Sequence, residues 1–281
     1  MTGPSGPTGA VCGRGRAVGG GHTGTVTAFD GWDPGQYNRF AAEREQPFHD
    51  LADLLEPVPS PAVADLGCGD GRLTVVLAER LGAASTVGVD SSPAMIGAAA
   101  ARATDRARFE IGDIGDVDQD AAYDVVFANA SLQWVPDHGR VLARWAHSLR
   151  PGGQLAVQVP ANADHPAHRL AAEVASTFLD HPPDDPVAVN VRAPEEYAVL
   201  LDDLGFARQH VRLQVYPHHL GSTADVVEWV KGTTLTRFKE PLGPDRWERF
   251  VDAYRLRLLD ELGQHSPYLY PFKRILLWAR D

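Results

Sequence analysis

The chain has 281 residues and a formal net charge of −11 at pH 7, because 26 Lys and Arg stand against 37 Asp and Glu. Its apolar fraction of 44% and charged fraction of 22% match ordinary globular proteins, which excludes a mostly disordered or fibrous chain. The acidic balance predicts no nucleic-acid partner, because nucleic-acid affinity comes mainly from Lys and Arg that neutralise phosphates. A small anionic ligand is compatible with it, since local charge outweighs net charge inside a cleft.

The sequence predicts neither a membrane span nor a disulfide framework. No run approaches the roughly 18 consecutive apolar residues of a transmembrane helix, and no apolar run of signal-peptide length follows the N-terminus. Cys12 lies in a glycine-rich tail and Cys68 in a tight turn, so we expect no bridge between them. No spacing of His, Cys and Asp matches a zinc site, and we predict no metal. These features favour a reduced, cytoplasmic protein and leave its oligomeric state open.

The N-terminal segment differs in composition from the rest of the chain. Residues 1–28 contain nine glycines and no apolar periodicity, so they bury too little surface to offset the entropy of ordering. We predict a flexible extension there and a single folded domain over residues 29–281. That domain opens with aromatic residues at helical spacing up to Phe40, and Pro47 predicts the start of a second helix with Phe48 on its apolar face.

Short apolar runs then alternate with helical stretches. Strands are predicted at residues 62–66, 86–89, 108–111, 125–128 and 155–159, and helices at residues 72–81, 94–103 and 140–149. Strands that alternate with helices of this length indicate a parallel sheet with helices on both faces, which is a doubly wound α/β fold.

Beyond Pro160 the regular alternation ends. Helices are predicted at residues 168–179, 194–204, 223–231 and 246–262, and strands at residues 207–216 and 275–279, which brings the predicted strands to seven. Residues 161–192 and 221–264 interrupt the alternation, and each segment follows a strand. We therefore predict two helical lid insertions that reach the side of the sheet where such folds bind ligands.

The most informative segment is a glycine-rich turn after the first predicted strand. It reads Ala62-Val-Ala-Asp65-Leu-Gly67-Cys-Gly69-Asp-Gly71, and a helix is predicted immediately after it. Glycine lets the backbone approach a ligand closely, and a helix N-terminus presents free N–H groups. Because a strand–turn–helix of this kind can also serve packing alone, further residues are needed to indicate a ligand.

Polar residues also end the next three strands. The second strand ends in Asp90, where a carboxylate holds a ribose diol in open α/β sheets. Gly112-Asp113-Ile114 follows the third strand, and Asn129 follows the fourth. The carboxyl ends of parallel strands meet at one edge of a sheet, so these side chains predict one nucleotide-sized site.

The glycine spacing separates two nucleotide-binding hypotheses. Dinucleotide sites have G-x-G-x-x-G, whereas this turn has G-x-G-x-G with Asp65 two residues before the first glycine. Additional acids suit a ligand with cationic sulfonium and ammonium groups better than a pyrophosphate. The arrangement resembles motif I of the S-adenosylmethionine-dependent class I methyltransferases, which implies their seven-stranded Rossmann-like sheet. A nicotinamide-dependent oxidoreductase and a non-catalytic cofactor-binding module are the alternatives from other classes.

The resemblance is closer to one family within that superfamily, and it extends from Trp32 to the C-terminus. The chain is similar to the trans-aconitate 2-methyltransferase family. The stretches that carry the similarity are Trp32-Asp-Pro-Gly-Gln-Tyr37, Asp65 to Gly71, Gly88-Val-Asp90-Ser-Ser-Pro93-Ala-Met95, Asn129-Ala-Ser-Leu-Gln-Trp134-Val-Pro-Asp-His138, Leu149-Arg-Pro-Gly-Gly153, Gln158-Val-Pro-Ala-Asn162, Glu228-Trp-Val-Lys-Gly-Thr233 and Pro271-Phe-Lys-Arg274.

That family methylates a carboxylate of trans-aconitate, a small tricarboxylate, with S-adenosylmethionine as the methyl donor. The resemblance implies that the three glycines of the turn line the methionine part and that Asp90 holds the ribose hydroxyls. It also implies that Met95 packs on the adenine, that Asp113 accepts from the adenine amine and that Asn129 lies near the methyl group. The full cofactor-binding set that we assign is Asp65, Gly67, Gly69, Gly71, Asp90, Ser91, Met95, Asp113, Ile114 and Asn129.

A carboxylate acceptor is already ionised at pH 7 and needs no general base. We therefore expect no acid–base residue and assign only positioning to Asn129 and Trp134. A di- or tricarboxylate needs cationic clamps, preferably arginine. The histidines, His165 and His168 included, are expected at surface or packing positions. The candidate substrate-binding residues are Tyr37, Arg39, Arg44, Lys231, Arg237 and Arg274, with Lys273 as a further cation.

Two segments depart from the family pattern. Thr234-Leu-Thr-Arg237 stands where Leu-Arg-Pro is expected after Gly-Thr, and Lys273-Arg274 stands where an Arg-Arg pair usually follows Pro-Phe. If those arginines hold substrate carboxylates, the acceptor can differ from trans-aconitate. A methyltransferase that acts on another natural-product acid is therefore the alternative within the class.

Overall fold

A computed structural model describes Met1 and residues 41–281, with the side chains of residues 41–44 excepted. Several predictions concern residues outside this part. They are the extension over residues 1–28, the helix before Phe40, and the site candidates Tyr37, Arg39 and the side chain of Arg44.

The described chain forms one seven-stranded sheet with the order β3-β2-β1-β4-β5-β7-β6. The first five strands are parallel, and β7 runs antiparallel to both β5 and β6. This confirms the predicted doubly wound, Rossmann-like sheet. The strands are β1 Ala62–Leu66, β2 Ser85–Asp90, β3 Ala107–Ile111, β4 Tyr123–Asn129, β5 Leu149–Pro160, β6 Arg208–Leu220 and β7 Tyr268–Arg280.

Helices cover both faces of the sheet and form the two insertions. None of the described helices is long and apolar enough to cross a membrane. The α-helices are α1 Ala41–Ala52, α2 Arg72–Leu81, α3 Pro93–Ala100, α4 His138–His147, α5 Pro166–Ala175, α6 Pro186–Asn190, α7 Pro194–Asp203, α8 Ala224–Lys231 and α9 Lys239–Leu262, and 3-10 turns lie at Ile114–Asp116, Leu132–Trp134 and Thr236–Phe238.

Apolar strand residues build a core on both faces of the sheet. On one face, α4 and α7 bury Trp145 and Leu201 against the strands. On the other face, α1 and α2 bury Phe48 and Leu77. The two layers hold the strands rigidly, so the loops at their carboxyl ends start from fixed positions.

The insertions form a third buried cluster beyond the end of β5. That strand ends at Pro160, opposite Arg274 of β7, whereas β6 and β7 stay paired as far as Leu220 and Tyr268. Helices α5, α8 and α9 pack around this two-stranded extension. The largest fully buried side chains of this insertion cluster are Trp229, Phe238, Phe250, Tyr254 and Tyr270.

Two predicted boundaries near the C-terminus are wrong. Strand β7 begins at Tyr268 rather than at residue 275, although Pro271 lies within it. The pairing of β5 with β7 ends at Pro160 and Arg274. The missing N–H of Pro271 therefore removes no hydrogen bond to β5. Helix α9 begins at Lys239 rather than at residue 246, with a kink at Gly243, whose φ is 67°.

Near the N-terminal end, Pro47 lies inside α1 and does not begin a second helix. The burial of Phe48, which is 1% exposed, and Leu51, which is 0% exposed, overrides the local preference of proline. The predicted helix over residues 140–149 is shifted as well. It begins at His138, because Asp137 caps it through a hydrogen bond from the Arg140 amide.

Candidate active site

The glycine-rich turn connects β1 to α2 in a backbone conformation that requires glycine. Gly67, Gly69 and Gly71 have φ angles of 85°, 56° and 75°, in the left-handed region that side chains disfavour. A Cβ on Gly67 would lie 2.2 Å from the Cβ of Ser131, whereas a Cβ on Gly69 would meet nothing within 4 Å. The turn is therefore closely packed at its start and open at its middle, where a ligand has room to approach.

Asp90, at the end of β2, is fixed by this turn. Its Oδ2 accepts a hydrogen bond from the Gly69 amide at 2.9 Å, and its Oδ1 accepts one from the Ser92 amide at 2.9 Å. The Ser92 hydroxyl in turn caps α3 by accepting from the Met95 amide at 3.3 Å. Ser91 is exposed and Met95 is half-buried at the start of that helix. The carboxylate, the turn and the first turn of α3 thus form one connected rim.

The loop after β3 continues the rim. Asp113 is exposed, and its Oδ1 accepts from the Gly115 amide at 2.8 Å. Ile114 is buried beside it, and its carbonyl accepts a hydrogen bond from the Trp145 indole at 2.8 Å. The Asp90 carbonyl accepts from the Gly112 amide at 3.0 Å, which joins this loop to the end of β2.

The loop after β4 closes the rim and contains a buried acceptor atom that is unsatisfied. The Oδ1 of Asn129 has no hydrogen-bond partner among the described residues, although leaving such a group unpaired is costly. Ala130 follows with a left-handed φ of 55°. The Ser131 hydroxyl donates to the Leu66 carbonyl at 2.5 Å, so this loop is held against the end of β1. Sequence reasoning missed Ser131, which carries no ligand-binding signature of its own.

Asp65 lies beneath the turn. It is 5% exposed, and its Oδ2 accepts from the Thr74 hydroxyl at 2.6 Å, which connects β1 to α2. Burial raises the pKa of Asp65 to about 6; the charge of Asp90 acts in the same direction, while the Thr74 hydrogen bond opposes it. The structure therefore holds an extra acid under the cofactor rim at some cost in stability.

A cavity of about 100 Å³ lies at the carboxyl ends of β4 and β5. The loop after β4, the two insertions and β7 form its walls. The residues that line this acceptor pocket are Ala130, Gln133, Trp134, Pro160, His168, Asp185, Pro186, Val187, Trp229, Thr233, Thr234, Arg237, Phe272 and Arg274.

Arg237 is a buried cation in this pocket, with 8% of its side chain exposed. Its Nη1 donates to the Thr234 carbonyl at 2.8 Å and lies 3.5 Å from a carboxylate oxygen of Asp185. Its Nε and Nη2 have no hydrogen-bond partner among the described residues. Burial lowers the pKa of Arg237, and the charge of Asp185 opposes that change. The guanidinium lies over the Phe238 ring at 4.4 Å, which leaves one edge for a ligand.

Arg274 is the second buried cation of the acceptor pocket and is 7% exposed. Its Nη1 donates to Oε1 of Gln158 at 3.1 Å, and its guanidinium lies 4.9 Å from the centre of the Phe272 ring. Gln158 belongs to β5, so the sheet itself orients this arginine.

The structure separates the predicted substrate-binding cations into two groups. Arg237 and Arg274 lie at the acceptor pocket with Trp134, which is 39% exposed at its edge. Lys231 does not line the pocket and lies 4.0 Å from Glu228. Lys273 donates to Asp164 outside it. The prediction could not tell them apart, because the direction of each side chain depends on the packing of the insertions.

His168, which we expected at a surface or packing position, is buried, with 5% of its side chain exposed. His168 lines the pocket, and its Nδ1 lies 2.9 Å from Oδ2 of Asp185. Burial alone raises the pKa of Asp185, but the His168 hydrogen bond and the charges of His168 and Arg237 outweigh it and lower the pKa. His165 points elsewhere: its Nδ1 accepts from the Ala167 amide at 3.1 Å, and burial lowers its pKa to about 4.

Comparison with known proteins places this geometry in a class. Residues 63–153 match a family model described as a methyltransferase domain. The YcgJ protein from Bacillus subtilis aligns over 84% of this chain and 98% of its own, with a TM-score of 0.58 and 15% identity. Phosphoethanolamine N-methyltransferase 2 from Haemonchus contortus, in complex with S-adenosyl-L-methionine, aligns over 92% of this chain and 60% of its own, with a TM-score of 0.58 and 16% identity. The protein is an S-adenosylmethionine-dependent class I methyltransferase.

A closer relative defines the particular family. The trans-aconitate 2-methyltransferase of Deinococcus radiodurans is 42% identical over 260 residues, which cover 88% of this chain and 97% of the relative. The chain belongs to the trans-aconitate 2-methyltransferase family, and the resemblance read from its motifs is confirmed. The nicotinamide-dependent alternative is not supported.

Replacing Asp90 tests the cofactor rim. Asp90→Ala removes the predicted ribose acceptor and the bond to the Gly69 amide, so we expect affinity for S-adenosylhomocysteine to fall by roughly 10- to 100-fold, or about 1.5–3 kcal/mol. Isothermal titration calorimetry measures this directly. Asp105→Asn, which removes an exposed charge before β3, serves as the control and should bind normally. Unchanged affinity in Asp90→Ala would refute the assigned role.

Asp65 gives a pH prediction. Its folded pKa of about 6 lies above the ordinary 3.8, so ionising it destabilises the folded state as the pH rises from about 4 to about 6. Relative to Asp65→Asn, the wild type should lose up to roughly 3 kcal/mol of unfolding free energy between about pH 4 and pH 7. Urea denaturation of the cofactor-free proteins at each pH measures the difference, and a constant difference would contradict the assignment.

Proposed function

We propose that this protein transfers the methyl group of S-adenosylmethionine to a carboxylate oxygen of trans-aconitate or a similar small polycarboxylic acid. The observation that carries the proposal is Arg237, a buried guanidinium with two unpartnered nitrogens in the acceptor pocket. Buried N–H groups without hydrogen-bond partners are unfavourable. A carboxylate offers the planar pair of acceptor oxygens that matches a guanidinium edge, so an acidic acceptor removes this penalty.

The rim at the ends of β1 to β4 suits S-adenosylmethionine. The open face of Gly69 gives the backbone access to the methionine part, and Asp90 is oriented for a ribose diol. Met95 and Asp113 would hold the adenine, with Ser91 and Ile114 beside them. Asp65 and Asp90 supply negative charge for the cationic groups of the cofactor, which explains why a buried acid with a raised pKa is kept there.

Asn129, whose buried Oδ1 has no partner among the described residues, directly precedes Ala130, which lines the acceptor pocket. We assign Asn129 to orienting the methyl donor and the acceptor, and we assign Trp134 to covering the outer edge of the pocket. S-adenosylmethionine, when bound, would supply an electrophilic methyl group for the carboxylate oxygen, with S-adenosylhomocysteine as the leaving group. The acceptor is already an anion, so the residues have to align it and exclude water rather than remove a proton.

Arg237 and Arg274 approach the acceptor pocket from different elements, the second insertion and β7. Two separate cations suit an acceptor with more than one carboxylate, because one can be methylated near Asn129 while the others are held. The insertions over residues 161–192 and 221–264 supply most of the pocket wall, which supports their proposed role as lids. Tyr37, Arg39 and Arg44 stay predictions for the same site, and so does the cytoplasmic location.

The acceptor is tested with radiolabelled S-adenosylmethionine and a panel of mono-, di- and tricarboxylic acids. We expect base-labile methyl esters to form fastest on trans-aconitate and similar polyacids, and slowly on monoacids. Arg237→Gln should lower kcat/KM for the polyacid by roughly 100-fold or more, because the pairing charge is lost. Arg249→Gln, which removes an exposed charge from α9, is the matched control.

Normal activity of Arg237→Gln would remove the basis of the proposal. Label in no acid, with S-adenosylhomocysteine binding intact, would show that the acceptor belongs to another class while the methyltransferase assignment stands.

A further inference from the structure

The acceptor pocket contains a buried His–Asp pair to which the proposed function assigns no role. The side chains of His168 and Asp185 are 5% and 10% exposed, and Nδ1 lies 2.9 Å from Oδ2. Since a carboxylate can only accept, Nδ1 carries a hydrogen and donates it to Asp185. The other ring nitrogen, Nε2, lies 3.4 Å from the Thr234 hydroxyl, which lines the same pocket.

This orientation gives Nε2 two different chemical characters. In the neutral imidazole, Nε2 carries a lone pair, which repels a carboxylate oxygen but can accept a hydrogen bond from the Thr234 hydroxyl. In the imidazolium it is an N–H donor with a positive charge. A carboxylate bound beside Nε2 is therefore compatible with the protonated ring only.

The groups around His168 come from four elements. Asp185 precedes α6, Arg237 belongs to the second insertion and Arg274 to β7, and all three line the pocket. His165 lies three residues before it, with its Nδ1 already accepting a backbone hydrogen bond. From α9, the Tyr254 hydroxyl donates to the Ala167 carbonyl at 2.7 Å.

The net positive charge of these groups is too small to balance a polycarboxylate, so one more cation is needed in the pocket. Asp185 is shared between His168 and Arg237, so it offsets about one of the positive charges that the arginines bring to the pocket. An acceptor with several carboxylates then meets too little positive charge unless the imidazole is protonated. Asp185 is placed to stabilise that added proton through its hydrogen bond to Nδ1.

We propose that His168 is a third acceptor-binding group, which takes up a proton when a polycarboxylate binds and donates a charged hydrogen bond from Nε2 to one of its carboxylates, with Asp185 as the positioning residue. This inference rests on the proposed function, because it assumes an acidic acceptor in this pocket. It adds that binding of the acceptor and binding of a proton are coupled, and that monoacids do not engage the coupling.

Calorimetry can count the protons. Trans-aconitate is titrated into the S-adenosylhomocysteine complex at about pH 8, where an ordinary imidazole is mostly neutral, in two buffers of different ionisation enthalpy. The difference in apparent binding enthalpy gives the number of protons exchanged. We expect the wild type to take up about one proton per acceptor bound. His168→Asn should bind roughly 10- to 100-fold more weakly and take up none.

The control is His147→Asn, which removes an exposed histidine paired with Asp118 at 2.6 Å. It should keep wild-type affinity and wild-type proton uptake. Unchanged binding of S-adenosylhomocysteine shows that each variant is folded. If His168→Asn does not fold, Asp185→Asn tests the same coupling: proton uptake should fall and KM for the polyacid should rise more than kcat changes.

The outcomes separate the two proposals. Binding of trans-aconitate without proton uptake by the wild type, or full uptake by His168→Asn, overturns the role of His168 and leaves the proposed function in place. Failure of the wild type to bind any polycarboxylate overturns the proposed function, and the role of His168 with it.

Discussion

A buried guanidinium needs partners for its charge and for its N–H groups. The anion binding that we propose for the acceptor pocket depends on how Arg237 meets this requirement. The protein supplies one backbone carbonyl, the face of Phe238 and an oxygen of Asp185 at 3.5 Å, and it leaves two nitrogens without a hydrogen bond. Such an arrangement is stable only when the surrounding packing enforces it. That packing is the insertion cluster, which closes around the extension of β6 and β7 beyond the end of β5. We therefore propose the unsatisfied guanidinium as the receptor for an anion.

Charge is divided between two adjoining sites in a protein whose net charge is −11. The cofactor rim holds the acids Asp65, Asp90 and Asp113, which suit a ligand with cationic groups. The acceptor pocket holds Arg237 and Arg274. The loop after β4, with Asn129, lies between them. Under the proposed function, this separation would let one small region bind a cationic methyl donor and an anionic acceptor side by side, although the net charge of the protein repels anions. Local charge inside a water-poor cleft decides the partner.

The sequence predicted those parts of the structure that depend on local pattern. The glycine turn and Asp90 were placed correctly, because a strand end and a left-handed turn are encoded within a few residues. The length of β7 was not predicted, because the part before residue 274 pairs only with β6, which is distant in sequence. The position of His168 in the pocket could not be predicted for the same reason. Its partner Asp185 lies in a proline-rich stretch without periodicity, and only the folded insertions bring both residues to the pocket beside Arg237. Lys231 shows the reverse case, a plausible cation that the packing of α8 directs toward Glu228.

We propose that the unpaired edge of Arg237 receives a carboxylate of the acceptor, and a crystal structure with S-adenosylhomocysteine and trans-aconitate would show whether it does. We expect an acceptor carboxylate oxygen within about 3 Å of Nη2 or Nε of Arg237, with a second carboxylate beside Asn129, where it could accept the methyl group. Trans-aconitate bound away from this pocket, or bound within it while both nitrogens stay unpaired, would show that Arg237 does not have this role.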